Sequence, residues 1–457
     1  MEDEWTDAET LYQLWIAEGI VLSSDKRKGE TIIQVAKSYM GELVHRSMVQ
    51  AKGEDFFEAI DIGEGNDLNL NRYDVSRVAK TRQLLLRVLS LENIRHPQRS
   101  VSGAFFGTNI GRVLGSLVYL RYLSLRGSNL ITFPWIHNLV LLQTLNLNVP
   151  DDNFKSPVSS NDLGKLSFLR HLYLPPWVSL QLLKNTKLRF NGLSKLETLE
   201  NFNTEWCEIK NLPKLSGLRR LTLKAEGGYD DVKEMLKYLS DLALSSNSSV
   251  LYLSLVIRIS GDPGWRNDPD MIRQLFWNHK FSLQELEMHG KLPELCEIFE
   301  QQQQLNHNHI DVSLIRITKL TLRKSCLEED PMRVLKKIPT LRDLKLFYGA
   351  YKGKEMVCSA MGFPRLTRLH LGNLDNFESW RVEKGSMPLL QDLFIHTCLK
   401  LEELPEELIF LNCLRELILW KMPSGLYDRV LLENGEQGPE FYKVAHIPNL
   451  VIVDREG

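Results

Sequence analysis

Along most of this chain the apolar positions fall in one figure, Leu-x-x-Leu-x-x-Leu-x-Leu. It is plain in LVYLRYLSL (117–125), LVLLQTLNL (139–147), LSFLRHLYL (166–174) and LSGLRRLTL (215–223). It returns in IPTLRDLKL (338–346), FPRLTRLHL (363–371), MPLLQDLFI (387–395) and LNCLRELIL (411–419). Looser copies centre on Leu89, Leu199, Leu253, Leu286 and Leu320. Taken at its second-last apolar position, the figure recurs at 89, 123, 145, 172, 199, 221, 253, 286, 320, 344, 369, 393 and 417. Alternate residues of a strand share a face, so the last two leucines of each copy point the same way. One copy cannot bury them, but stacked copies close a shared core beside a single parallel sheet. Each leucine buried there contributes roughly 1.5–3 kcal/mol.

Spacings that mostly lie in the twenties are those of leucine-rich repeats, and the longer ones accommodate inserts. The pattern therefore predicts an α/β fold, a leucine-rich-repeat solenoid with a parallel β-sheet horseshoe. Three long intervals carry a helical period instead. Asp230 to Leu244 has apolar residues at Val232, Met235, Leu236 and Leu239, and DPDMIRQLFW and LPELCEIFEQQQQLNHNH read likewise. LPEEL (404–408) reads as a return segment on the convex side, and Asn129 and Cys398 as turn-filling residues just past their strands.

Before the repeats the period changes. TDAE (6–9) reads as a capping box, in which the Thr6 hydroxyl and Glu9 satisfy backbone donors at a helix start. Ala8, Leu11, Leu14 and Trp15 then make an apolar stripe on a helix ending at Gly19. After the charged loop SSDKRKG, a second helix over 30–50 carries Ile32, Val35, Tyr39 and Leu43 at spacings of three and four. Two such helices suit a cap that shields the first repeat.

Between the core leucines, alternate residues point out of the concave face. Candidate partner-binding residues there are Tyr122, Arg126, His171, Tyr173, Arg220, Tyr252, Lys319, Arg368, His370 and His396. A solvated sheet explains any one of them, whereas an extended, chemically varied face suits recognition of a protein surface. No single-sign stripe runs along the face, and the whole chain of 457 residues carries a formal charge of −2. Nucleic acid and anionic membrane are therefore not expected partners. With 43% apolar and 25% charged residues and no long apolar run, the composition is that of a globular protein with no membrane span.

The search for catalytic text is negative. GAYKGKE (349–355) is one residue short of a phosphate loop and has Glu355 where a hydroxyl is needed. GEGND (63–67) lacks the third glycine of a dinucleotide fingerprint, and NHNH (306–309) offers too few ligands for a metal. The six cysteines show no paired spacing and read as reduced thiols of a cytoplasmic protein. Neither an enzyme nor a cofactor or metal site on this chain is expected.

LYQLWIAEGIV (11–21) followed by VAKSYMGELVHRSMVQ (35–50) resembles the winged-helix end of the NB-ARC region in plant nucleotide-binding leucine-rich-repeat resistance proteins of the coiled-coil class. LRYLSLRGSNLITFP (120–134) and LETLENFNTEW (196–206) resemble the repeats of that family. The resemblance implies an intracellular immune receptor whose NB-ARC core exchanges ADP for ATP. Its repeats would sense a pathogen effector or a guarded host protein and restrain that core. The phosphate loop is absent, and RSMVQ runs into AKGEDFFEAID without the family's Met-His-Asp triplet. The expectation is an N-terminally truncated receptor: a partial winged-helix segment (1–50), a shortened junction (51–80) and about thirteen repeats (81–457). A second shortened join is expected over 80–93. Such a chain would bind a protein partner, or a full-length relative, without a nucleotide switch of its own. The alternatives are a repeat scaffold unrelated to immunity and an inactive splice or pseudogene product.

Overall fold

The computed structural model describes residues 5–18, 21, 26, 30–45, 49–52, 56–59, 86–90, 114–126, 135–148, 163–176, 187–245, 252–259, 269–277, 283–292, 295–305, 315–431 and 436–453. Asn129, NHNH, most of the expected junction and most of the 80–93 join lie outside them. By its contacts the chain divides into two compact units. One is Met1–Phe202 with Trp206–Arg220 and Ser245–Ser248; the other is Asn203–Glu205, Leu221–Leu244 and Ser249–Gly457.

The first unit begins with β1 (Trp5–Asp7), α1 (Ala8–Glu18), α2 (Ile32–His45), β2 (Val49–Lys52) and β3 (Phe56–Ala59). Strand β3 pairs antiparallel with both β1 and β2. The boundary expected at residue 50 and the join at Gln50–Ala51 thus fall inside one strand, where these two residues face Glu58 and Phe57. In the sequence, Gly53-Glu54-Asp55 between VQAK and FFEA is the cue for this hairpin.

The capping box also moves. Thr6 sits in β1 opposite Phe57, and α1 starts only at Ala8. Helix α2 carries the box instead: Gln34 N–H donates to Thr31 Oγ1 at 3.0 Å, and Thr31 N–H donates to Gln34 Oε1 at 2.7 Å. Between the two helices Tyr12, Ile16, Val21, Ile32, Val35 and Ala36 form a core, with Leu11, Trp15 and Ile33 packed beside it. The buried stripe of α1 is therefore shifted from the expected one, and Tyr39 of α2 is exposed.

The repeat strands follow: β4 (Val88–Ser90), β5 (Tyr122–Ser124), β6 (Thr144–Asn146), β7 (His171–Tyr173), β8 (Thr198–Asn203), β9 (Arg220–Gly227), β10 (Tyr252–Ile259), β11 (Leu283–His289), β12 (Lys319–Arg323) and β13 (Asp343–Phe347). After these come β14 (Glu355–Cys358), β15 (Arg368–Gly372), β16 (Ser379–Val382), β17 (Asp392–His396), β18 (Glu416–Trp420) and β19 (Asn449–Val453). All but β14 and β16 join in chain order into a sheet of 14 strands, and β14 and β16 pair with each other.

Every second-last leucine of the figure lies in a strand and is at most 5% exposed. Leu89, Leu123, Leu145, Leu172 and Leu199 face each other from strand to strand, as do Leu286, Leu320, Leu344, Leu369, Leu393, Leu417 and Leu450. Strand β10 is the exception. A register shift after Leu253 places Leu255, two residues beyond the predicted position, opposite Leu286. The opening Leu-x-x-Leu is a turn closed by an i→i+3 bond, as in Leu120 N–H to Leu117 O (3.0 Å) and Leu142 N–H to Leu139 O (3.0 Å). That bond explains the spacing of three, because it swings both leucines into the core.

The predicted inserts are helices α3 (Tyr229–Ser245), α4 (Pro269–Trp277) and α5 (Leu295–Leu305). Val232, Met235, Leu236 and Leu239 of α3 are all buried, as its period requires. Phe276 of α4 meets Phe299 of α5 edge-on at 5.2 Å. A 3-10 turn over Glu406–Phe410 makes the return that LPEEL signals. Strands β14, β16 and β19 were not foreseen. For β19 the cue is IPNLVIV (447–453), a shortened copy of IPTLRDLKL. All six cysteines are free thiols, and Cys207, Cys296, Cys358 and Cys398 are buried. Burial pushes the Cys398 thiol up to about 12, and its Sγ donates to His396 O at 3.5 Å, which fits the structural role read for it.

Candidate functional site

The outward side of the sheet differs between the two units. In the first, Tyr122, Ser124, Thr144, His171 and Thr198 occupy outward positions, yet all are buried. Helix α1 accounts for part of this, lying against β4 and β5. Its Gln13, itself buried, donates to the Tyr173 hydroxyl. His171 Nδ1 meets Thr198 Oγ1 at 3.0 Å, and burial, with the Arg170 charge second, lowers its pKa to about 3. Tyr122 and His171, expected to meet a partner, are thus enclosed, and Tyr173 is half-buried. The N-terminal helices were expected to shield the first repeat; α1 covers the strand face. Arg126 is exposed, and Arg220 is held by Glu200 at 2.8 Å.

In the second unit the outward residues form rows across parallel strands. The first row is one of ion pairs. Glu285 binds Lys319, and Asp343 takes Arg368 at 3.3 Å and Lys345 at 3.9 Å. Burial alone would raise the Glu285 carboxyl, but hydrogen bonds from Lys319 and Tyr252 bring it below the ordinary carboxylate range. Lys319, Arg368 and Tyr252 are therefore tied to neighbouring strands. Asp392 and Glu416 adjoin: burial first, then the Glu416 charge, raises the Asp392 carboxyl.

Toward the C-terminal ends of the same strands the rows turn aromatic. Phe347 meets His370 edge-on at 4.2 Å, His370 lies 4.1 Å from Phe394, and His396 lies 5.5 Å from Trp420. Gly372 makes this possible: a Cβ there would come within 2.0 Å of His396 Nε2. Burial, then the charges of His396, Lys345 and Arg323, lowers His370 to about 3. Burial lowers His396 as well. Both rings are neutral near pH 7. The Arg323 guanidinium lies 5.0 Å from the Phe347 ring and pairs with Glu287 at 2.8 Å, and Lys421 Nζ lies 5.4 Å from the Trp420 ring.

Of the predicted residues, the structure brings His370 and His396 into this cluster, with Lys319, Arg368 and Tyr252 in the paired row. Sequence reasoning missed Arg323, Phe347, Trp420 and Lys421. Each lies at or just past the third outward position, one residue beyond the last leucine of its copy. Among the described residues no group of three or more His, Cys, Asp or Glu side chains could hold a metal ion. No helix among them is long and apolar enough to cross a membrane.

Comparison with known proteins bears on what such a face belongs to. Residues 71–417 match the family described as leucine-rich repeat region, and residues 1–61 match the disease resistance protein winged helix domain. The chain belongs to the winged-helix, leucine-rich-repeat disease resistance proteins of plants. Within this family it is 30% identical to probable disease resistance protein RXW24L of Arabidopsis thaliana, over 98% of the chain and 52% of that protein. It is 31% identical to probable disease resistance RPP8-like protein 4 of the same plant, over 81% of the chain and 36% of that protein. The chain thus spans about half the length, or less, of these disease resistance relatives. Among solved structures, an internalin from Listeria monocytogenes aligns over 79% of the chain and 85% of its own, with 15% identity and a TM-score of 0.42.

Proposed function

We propose that this chain is the recognition part of a plant immune receptor. It binds a protein, either a pathogen effector or a guarded host protein, through the outward sheet face of its second unit. The observation that carries the reading is the contrast between the two units. The first outward row of β5–β8 (Tyr122, Thr144, His171 and Thr198) is buried, whereas the same row of β12–β18 presents exposed Lys319 and Arg368, on a face whose Phe394 and Trp420 are half-buried. Half-buried aromatic side chains beside charged ones are the composition of protein-binding hot spots. Membership of the disease resistance family supplies the immune context. A repeat scaffold outside immunity draws on the same face but finds no support in those relatives. The proposal keeps the cytoplasm as the compartment and places no nucleotide switch on these residues.

The test is pairwise co-expression of the full chain with a panel of secreted plant-pathogen proteins and host proteins, followed by co-precipitation. At least one partner is expected, and the double substitution Lys319→Glu with Arg368→Glu should weaken its binding roughly tenfold or more. A partner bound equally well by the double variant, or no partner anywhere in the panel, would count against the reading. Stoichiometric binding of labelled ADP in equilibrium dialysis would refute the absence of a nucleotide site.

A further inference from the structure

Because β12, β13, β15, β17 and β18 are parallel, their N-terminal ends share one edge of the face and their C-terminal ends the other. The two edges carry opposite chemistry. At the N-terminal edge Lys319 is taken by Glu285 and Arg368 by Asp343, and Asp392 lies opposite Glu416, which accepts from Asn449 Nδ2. The Arg368 and Arg415 charges also reach Asp392 but are outweighed by burial and the Glu416 charge. At the C-terminal edge, the last outward residue of each strand and the residue after it include Arg323, Lys324, Phe347, Tyr348, Trp420 and Lys421. No carboxylate occupies any of those positions. Between the edges on β15, β17 and β18 lie His370, Phe394 and Ile418, uncharged near neutral pH and half-buried, and Lys345 and Thr321 continue the row on β13 and β12.

The cationic edge is fixed in place by the backbone. Lys324, Tyr348, Asn373, Thr397 and Lys421 each follow a strand with φ near +50°, at 53, 52, 52, 51 and 50°. Their amides donate to the last carbonyl of the next strand, as Lys324 N–H does to Phe347 O at 3.2 Å and Thr397 N–H does to Trp420 O at 3.0 Å. Arg323 is engaged by Glu287 and the Phe347 ring, whereas Lys324 and Lys421 are exposed.

We propose that this face docks a protein segment in one orientation. An aromatic or branched aliphatic side chain of the segment rests on Phe394, Ile418 and Trp420. Its carboxylates point to Lys421 and Lys324, and a basic side chain points to Asp392 and Glu416. Charge complementarity sets the direction, and like charges meet if the segment is reversed. Rings beside cations also suit a single nucleic-acid strand. Here, however, Asp392 and Glu416 would face its phosphates, so the face favours a protein. The inference rests on the recognition reading above and adds the chemistry of the epitope.

The test pans the immobilised full chain against a random peptide display library and measures the enriched peptides by fluorescence anisotropy. Enriched sequences should carry an aromatic or branched aliphatic residue with Asp or Glu on one side and Lys or Arg on the other. Phe394→Ala and Lys421→Glu should each weaken binding roughly tenfold or more. Lys421 is exposed, so its reversal probes the face without disturbing the core. A peptide with Lys in place of the acidic residue should recover affinity for Lys421→Glu. The inference falls if nothing is enriched, if enriched peptides lack the acidic and apolar pairing, or if both substitutions are silent. It falls too if a labelled oligouridine strand binds and Lys421→Glu abolishes that binding. Loss of peptide binding through Glu287→Lys, with Phe394→Ala silent, would overturn this epitope while leaving recognition elsewhere on the face intact. Peptide docking without any partner in the co-precipitation panel would do the reverse.

Discussion

His171 and His370 are held to the same low basicity, about 3, in different surroundings. Around His171 the cause is enclosure first and the Arg170 charge second; around His370 enclosure is joined by His396, Lys345 and Arg323. Both have an ordinary value of 6.5 when unfolded. Below that pH the unfolded chain binds protons that the folded chain refuses, so stability rises with pH across this interval. The contribution is fully present above about 6.5 and is lost as pH falls toward about 3. His171→Gln keeps a polar group beside Thr198 Oγ1 but cannot titrate. Its urea midpoint should therefore fall less than the parent's between about pH 7 and about pH 5. Parallel midpoints would show that His171 is solvated in the folded chain.

At the scale of elements, what the sequence reports well is the side of the sheet that faces the core. The leucine period placed a strand at each predicted copy because burial of those leucines is a local, repeated requirement. It misplaced the register of β10, where Leu253 and Leu255 are both buried and the text alone cannot choose between them. It was also silent on the backbone at the strand ends. A left-handed residue closes five of these strands, yet only Asn373 has a side chain that favours that conformation; Lys, Tyr and Thr do not. Thr397, β-branched and at φ 51°, is the most strained of the five. Thr397→Asn should raise the stability of the second unit by about 1 kcal/mol in urea titration, because Asn tolerates this region at lower cost. The weak contact of His396 Nδ1 with Thr397 Oγ1, at 3.4 Å, is the only described side-chain hydrogen bond at risk. A lower midpoint would mean that this contact outweighs the backbone strain.

For the molecule as a whole, the least legible property was which outward residues are accessible. Period and spacing say that Tyr122, His171 and His370 all leave the core, but not what lies across them. Part of the cover in the first unit comes from far away in the chain, since α1 lies against β4 and β5 and its Gln13 reaches Tyr173 across 160 positions. Helix α1 can do this because it has two buried sides. Tyr12 and Ile16 pack toward α2, while Gln13 and Ala17, four residues apart and so on one face, are also buried, at 3% and 1% exposure. The Gln13 contact identifies that second face as the one against the sheet. A carboxylate at Ala17 would be stranded there without a partner, and its desolvation cost should lift α1 from β4 and β5. Ala17→Glu is therefore expected to speed hydrogen exchange in peptides covering 122–124, 144–146 and 171–173, and to leave exchange in β12–β18 unchanged. If exchange over β5–β7 stayed at parental rates, those strands would be protected by their own ladder alone, and α1 would be packed on the face without shielding it.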